Sequence, residues 1–266
     1  MLPSNIHAVL AQRPLGLVFD IDGTLSPIAP TPEEARLYPG VASLLARARD
    51  HAGSHVAIIT GRAVESGAAL VNVDGITYIG THGLEWSDGL PPASPVQIVT
   101  EALQYSEPGK ALLDLAEQHL PPHAGFLVER KRIGGAIHYR LATDPAQARQ
   151  TILTLLEQPA REQHMRLSEG KCIVEIKVPL AIDKGVALRQ FAERFRLQGL
   201  IFAGDDRTDL DAVKATARLR QAGLAALAIV VRHPDTLPEL LANADVVVEE
   251  VDGMAALLGE MVESIS

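Results

Sequence analysis

Four short stretches of this sequence combine residue types and spacings that could do chemistry. Asp20-Ile21-Asp22-Gly23-Thr24 closes an apolar run that begins at Leu15. Alternation in an extended chain would send Asp20 and Asp22 to one side, where two close carboxylates repel unless a cation joins them. Hard oxygen donors of this kind suit Mg²⁺. The bland alternative is a turn in which an aspartate caps a helix. A second cluster, Gly204-Asp205-Asp206-Arg207-Thr208-Asp209, crowds three acids into five residues after another apolar run. That crowding is costly without a metal or a basic partner, although Asp209 could also cap the following helix. Thr60-Gly61-Arg62 offers a hydroxyl and backbone N–H groups where a helix would begin, a cradle for phosphate or an ordinary N-cap. Lys184 opens a further helix, where the helix dipole disfavours a cation; it needs a local reason, and an anionic ligand would supply one.

The elements that must position these residues read as strands and helices in alternation. Short apolar runs at Leu15 to Ile21, Val56 to Ile59, Ile76 to Ile79, Leu200 to Ala203, Leu227 to Val231 and Val246 to Val248 fit strands buried on both faces. Between them, Val41 to Arg49, Ala63 to Leu70, Gly185 to Phe195 and Asp209 to Ala217 have helical spacing. This predicts a Rossmann-like, doubly wound parallel sheet, and ligands of such sheets gather at the strands' carboxyl ends. All four stretches fall at such an end or at a helix N-terminus.

The middle differs. After a proline-rich segment around Pro91, Pro92 and Pro95, the pattern predicts helix-strand-strand twice: Gly109 to His119, Gly125 to Lys131, Gly135 to Leu141, Pro145 to Glu157, His164 to Leu167 and Lys171 to Val178. An antiparallel sheet with helices on one face is expected, inserted as a second domain over residues 104–179, with 1–103 and 180–266 forming the core. In this inserted sheet Ile137, Tyr139 and Leu141, with Cys172, Val174 and Ile176, are expected to face its helices. That leaves Glu129, Lys131, His138, Arg140, Lys171 and Glu175 on an open face. Mixed acids and bases suit a neutral polyhydroxylated ligand, and a solvated surface laced with ion pairs is the alternative.

Composition sets limits. The 266 residues are 47% hydrophobic and 21% charged, which supports a packed core, and a formal net charge of −9 argues against nucleic acid as partner. The single cysteine, Cys172, excludes an internal disulfide and suits a reducing cytoplasm. No run is long and apolar enough for a membrane span or a signal peptide. Oligomeric state is not legible; monomer and small oligomer stay open.

In order, Phe19-Asp20-Ile21-Asp22-Gly23-Thr24, Thr60-Gly61, Lys184, and Gly204-Asp205-Asp206 with Asp209 resemble the four motifs of the haloacid dehalogenase superfamily of phosphohydrolases. The resemblance implies a mobile α+β cap of the C2 type between the second and third motifs. It implies Asp20 as nucleophile, Asp22 as general acid and base, and Thr60, Gly61, Arg62 and Lys184 as holders of the phosphorylated substrate. Mg²⁺ is expected on Asp20, Asp22 (through its carbonyl) and Asp205, with Asp206 and Asp209 as alternate or supporting ligands.

Further stretches, Gly80-Thr81-His82-Gly83-Leu84-Glu85, Val128-Glu129-Arg130-Lys131, His138-Tyr139-Arg140, Gly170-Lys171 to Lys177, and Asp205 to Asp211, look like the trehalose-6-phosphate phosphatase family. Leu210, where that family usually has an acid, and the extra Val178 depart from its pattern. Hydrolysis of trehalose 6-phosphate is the implied reaction, with Glu129, Lys131, His138, Arg140, Lys171 and Glu175 as sugar contacts. Rival readings keep the chemistry with another sugar phosphate (sucrose phosphate, a mannosyl phosphate ester or a hexose phosphate), or return the phosphate to substrate as a phosphomutase. A receiver-like binding module is disfavoured by the cap and by the second acid at Asp22.

Overall fold

A computed structural model describes residues 2–265. The chain opens with helix α1 (Ser4–Leu10), strand β1 (Leu15–Phe19), α2 (Val41–Asp50), β2 (Ser54–Ile59), α3 (Val64–Val71), β3 (Thr77–Gly80), β4 (Glu85–Ser87) and β5 (Gln97–Ile98). It continues through α4 (Ser106–His119), β6 (Leu127–Arg130), β7 (Gly135–His138), α5 (Pro145–Glu162), β8 (Arg166–Gly170) and β9 (Ile173–Lys177). It closes with α6 (Lys184–Arg194), β10 (Gly199–Gly204), α7 (Leu210–Gln221), β11 (Ala225–Arg232), α8 (Pro238–Ala242), β12 (Val246–Glu249) and α9 (Glu250–Ile265). Two compact units result, Met1–Gln97 with Ile182–Ser266, and Ile98–Ala181.

The first unit is an α/β core around a sheet of order β12-β11-β10-β1-β2-β3-β4-β5, parallel from β12 to β3 and antiparallel at β3–β4. Successive residues of one strand feed opposite layers, which is why β1 reads as an unbroken apolar run. Leu15, Leu17 and Phe19 pack with α1, α2 and α9, whereas Val18 packs with α6 and α7. Each such fully buried side chain contributes about 1.5–3 kcal/mol by leaving water. Because β1 lies at the centre, paired to β10 and β2, its carboxyl end is fixed from both sides. The sequence pattern anticipated the parallel strands but not the antiparallel β4, nor the terminal helices α1 and α9 that close one face.

The second unit is a four-stranded antiparallel sheet of order β6-β7-β9-β8 with α4 and α5. Asp144 caps α5 by accepting from the Gln147 amide, and Pro145 occupies its first turn, where no N–H is needed. Ile137, Val174 and Ile176 are buried, together with Leu112, Leu113, Ile152 and Leu156 from the two helices. Register pairs Glu129 with Ala136, and Ala136 with Glu175, so the two glutamates share the opposite face across a small residue.

Two expectations for this sheet fail, for one reason: strand alternation was carried past the strand ends. β7 stops at His138, and Leu141 lies in the turn that follows, 62% exposed. Cys172 is likewise outside the strand, half-buried in the β8–β9 turn with φ +57°. Arg140 and Lys171 also fall in these turns, where the Arg140 guanidinium donates to the Lys171 carbonyl (3.3 Å).

Candidate active site

At the carboxyl end of β1 the chain turns at once. The Asp20 amide still donates to Ala203 of β10, but the Ile21 carbonyl accepts from Thr24, Leu25 and Ser26. Strand alternation therefore ends before Asp22, and the two aspartates meet different partners. Gly23 has φ +86°, and a Cβ at this position would collide with the Asp205 carboxylate. Glycine is required here for both reasons, and its bare backbone lets the β1 turn close onto the turn after β10.

The structure brings three buried carboxylates together: ligand oxygens of Asp20, Asp205 and Asp209 lie within 4.8 Å of one another. Lys184 Nζ donates to Asp20 Oδ1 and Asp209 Oδ1, both at 2.8 Å. This is the local reason for a lysine at the start of α6, with Asp183 capping that helix through the Val186 amide. Asp209 is fully engaged, because its Oδ2 also accepts the amides of Asp205 (3.1 Å) and Asp206 (3.0 Å). Asp205 Oδ1 accepts from Thr24 Oγ1 at 3.4 Å, whereas its Oδ2 is buried with no hydrogen-bond partner among the described residues. Asp206 is outside the cluster and caps the turn of Arg207–Asp209.

Three acids against one lysine leave the cluster short of positive charge. Burial pushes the Asp20 carboxyl up to about 8, against the pull of Lys184 and with a further push from Asp209. Burial likewise holds Asp205 well above the ordinary carboxylate range, reinforced by Asp209 and Asp20. Burial alone would lower Lys184, but the carboxylates of Asp20 and Asp209 outweigh it and hold the ammonium above its usual range. A divalent cation reverses this balance, and an orphaned, buried carboxylate oxygen beside two more carboxylates is a donor set that fits one.

Thr60, Gly61 and Arg62 follow β2, but α3 begins only at Val64, whose amide donates to the buried Glu85 Oε2 (2.9 Å). The helix anticipated from Ala63 thus starts with Ala63 as its N-cap, and a residue from β4 caps its first amide. Thr60 Oγ1 accepts the Arg62 amide (3.2 Å), and a Cβ on Gly61 would come within 2.8 Å of the His82 ring. Arg62 is 9% exposed and grips Asp22 with both arms of its fork: Nε to Oδ2 and Nη2 to Oδ1, each at 2.7 Å.

In the second unit, His138 Nε2 lies 2.8 Å from Glu129 Oε2. Glu175 carries two lysines, Lys177 at 2.7 Å and Lys131 at 3.5 Å. These side chains are half-buried to buried, and Arg140 and Lys171 lie beyond the strands. Sequence reasoning passed over Glu85 as a cap and His233, whose ring reaches Gly23. The one available signal for His233 was its place directly after β11, at the same carboxyl edge.

Comparison with known proteins gives the family and the fold. The pattern of the trehalose-phosphatase family matches residues 18–237. A trehalose-phosphate phosphatase of Mycobacterium avium (strain 104) is 32% identical over 231 residues, covering 85% of this chain and 56% of that protein. The chain spans about half the length of the curated relatives it matches. The crystal structure of a trehalose-6-phosphate phosphatase related protein superposes with a TM-score of 0.75 at 25% identity, over 93% of this chain and 97% of the other. The C-terminal domain of a Candida albicans trehalose-6-phosphate phosphatase shares the fold, with a TM-score of 0.77 at 16% identity over 98% and 96% of the two chains. From its sequence and its fold alike, the chain belongs to the trehalose-phosphatase family.

Proposed function

We propose that the protein is a Mg²⁺-dependent phosphatase that hydrolyses trehalose 6-phosphate through a phosphorylated Asp20. The observation that carries this reading is the buried Asp20–Asp205–Asp209 cluster with its single lysine and its orphaned Asp205 oxygen. A carboxylate so placed serves as nucleophile when a metal and a lysine neutralise the incoming phosphoryl group. Asp20 and Asp205 are the side chains with oxygen to offer a cation, and Asp22 would add its carbonyl. Asp209, with both oxygens committed to Lys184 and two amides, holds the site together. Mg²⁺, when bound, supplies the charge that keeps both carboxylates ionised and screens the phosphoryl oxygens.

An Asp20 oxygen attacks phosphorus as the bond to the sugar oxygen breaks, and Asp22 gives that oxygen a proton. Asp22 then takes a proton from water, whose oxygen attacks phosphorus as the bond from phosphorus to the Asp20 oxygen breaks, releasing phosphate and restoring the carboxylate. The Arg62 fork fixes the orientation of the Asp22 carboxylate. Thr60, the Gly61 amide and Lys184 hold the phosphoryl oxygens. Glu129, Lys131, His138 and Glu175 supply acceptors and donors for sugar hydroxyls, with Arg140 and Lys171 at the ends of the same strands. The acidic surface and lone cysteine suit a cytoplasmic enzyme of small molecules rather than of nucleic acid, and no helix among the described residues is long and apolar enough to cross a membrane.

Phosphate release from trehalose 6-phosphate, sucrose 6-phosphate, glucose 6-phosphate and a mannosyl phosphate ester tests the reading, each with Mg²⁺, with chelator, and with Asp20→Asn. Metal-dependent release from trehalose 6-phosphate alone, lost in Asp20→Asn, is expected. Release from another sugar instead keeps the core assignment and overturns the sugar. No release from any substrate overturns both.

A further inference from the structure

At the carboxyl edge of the core a histidine contact lies outside the proposed reaction. His233 follows β11 directly, and its side chain is 10% exposed. Nε2 lies 2.7 Å from the Gly23 carbonyl oxygen, and Nδ1 lies 2.7 Å from Glu250 Oε2. A carbonyl oxygen and a carboxylate oxygen both accept, so each ring nitrogen stands in a donor's place and Nε2 is the one that donates to Gly23. The ring is held from behind as well. The His233 amide donates to Thr236 Oγ1 (2.8 Å), and Glu250 stands at the first position of α9 with φ +51°. The preceding residues, Arg232 and Glu249, are register partners across β11 and β12 and form an exposed ion pair. Nε2 is also 3.8 Å from Asp205 Oδ2, the oxygen that lacks a hydrogen bond.

We infer that His233 is a positioning residue for the metal-binding turn: its Nε2–H, aimed by Glu250, anchors the Gly23 carbonyl and so fixes the Asp20–Gly23 turn against Asp205. Gly23 touches Asp205 so closely that no side chain fits between them. A small movement of this carbonyl therefore moves the Asp22 carbonyl and the Asp205 carboxylate relative to each other. Groups that orient metal ligands from behind typically contribute about 10–100-fold in metal affinity or activity. The inference rests on the reading of this cluster as a Mg²⁺ site.

The test uses the intact protein and three variants, His233→Ala, His233→Gln and Glu250→Ala. Glutamine carries an amide N–H close to where Nε2 stands. Titration with Mg²⁺ alone in a calorimeter, without substrate, is the first measurement. His233→Ala is expected to bind Mg²⁺ at least tenfold more weakly, His233→Gln to recover most of that loss, and Glu250→Ala to fall between. Hydrogen exchange of the metal-free protein is the second measurement: in His233→Ala the amides of Thr24, Leu25 and Ser26 should exchange faster while those of β1 do not change. Unaltered Mg²⁺ affinity in His233→Ala overturns the positioning role and leaves the functional reading standing. Equal weakening in His233→Ala and His233→Gln, with general loss of protection in β1, also overturns it, because the residue then only supports the fold. Absence of Mg²⁺ binding in the unaltered protein overturns the metal reading and this inference with it.

Discussion

Charge is handled in opposite ways in the two units. In the core, Asp20, Asp205, Asp209 and Lys184 are almost fully buried, and the acids outnumber the base. In the inserted sheet, Glu129 meets His138 and Glu175 meets Lys131 and Lys177, with side-chain exposures from 5% to 30%. One group is dry and unbalanced; the other is partly wet and paired. A protein has no reason to bury uncompensated charge for its fold, since the desolvation cost is several kcal/mol per ion. Such a cluster therefore points to an absent partner of opposite charge. The paired face carries no such debt, and its mixture of donors and acceptors suits neutral hydroxyls.

The sharpest way to break this contrast is to remove the proposed nucleophile. Asp20→Asn should lower kcat by about 10⁴-fold or more, as for other covalent nucleophiles. The same change removes one of three crowded acids, so the metal-free melting temperature should rise. A fall would show that the cluster is balanced without a cation. Next in size, Asp22→Asn should cost about 10²–10⁴-fold with the sugar substrate, the usual worth of a general acid. The loss should shrink sharply with p-nitrophenyl phosphate, whose leaving group needs no proton. Equal losses on both substrates would remove Asp22 from that role.

Much of this was legible in the sequence. A strand buried on both faces leaves an unbroken apolar run, and acids at its end have little other use, so β1 with Asp20 and β10 with Asp205 stood out. The helix dipole also flagged Lys184 as needing a local reason, and the structure supplies Asp20 and Asp209. Periodicity names faces but not partners, so the Arg62 fork on Asp22, forty residues away, stayed hidden and Arg62 read as a substrate ligand. It also misleads past a strand end: Cys172 has a left-handed backbone that cysteine does not advertise, and Leu141 follows a strand that has already stopped. Glu85 lies in a quoted stretch, but only the fold shows it capping α3.

On the paired face, His138→Ala or Glu175→Gln should raise KM for the sugar phosphate about 10-fold, the scale of one lost charged hydrogen bond. Turnover of p-nitrophenyl phosphate should not change. If both substrates suffer alike, the face supports the fold rather than the sugar.

The smallest effect separates the units by pH. Burial lifts Asp20 from an ordinary carboxylate value to about 8 without metal. A raised folded-state value means the folded chain holds a proton that the unfolded chain has released. Metal-free stability should therefore decline as pH rises from about 4 through 8. Mg²⁺ must displace that proton, so the stabilisation it gives should grow over the same range. A melting-temperature increment independent of pH between 5 and 8 would contradict the assignment of Asp20 as a ligand.

The pairing of β1 with β10 joins Leu15 to Gly199. During synthesis at about 5–20 residues per second, the central strand would wait roughly 10–40 s for this neighbour. All five of its residues are buried in the finished sheet, so in that interval a sticky edge lies open to other chains. The inserted sheet, made of neighbouring hairpins and helices, can fold while the core is still incomplete. Assembly of the chain is then a race in which its middle can be ready first and the carboxylate cluster last.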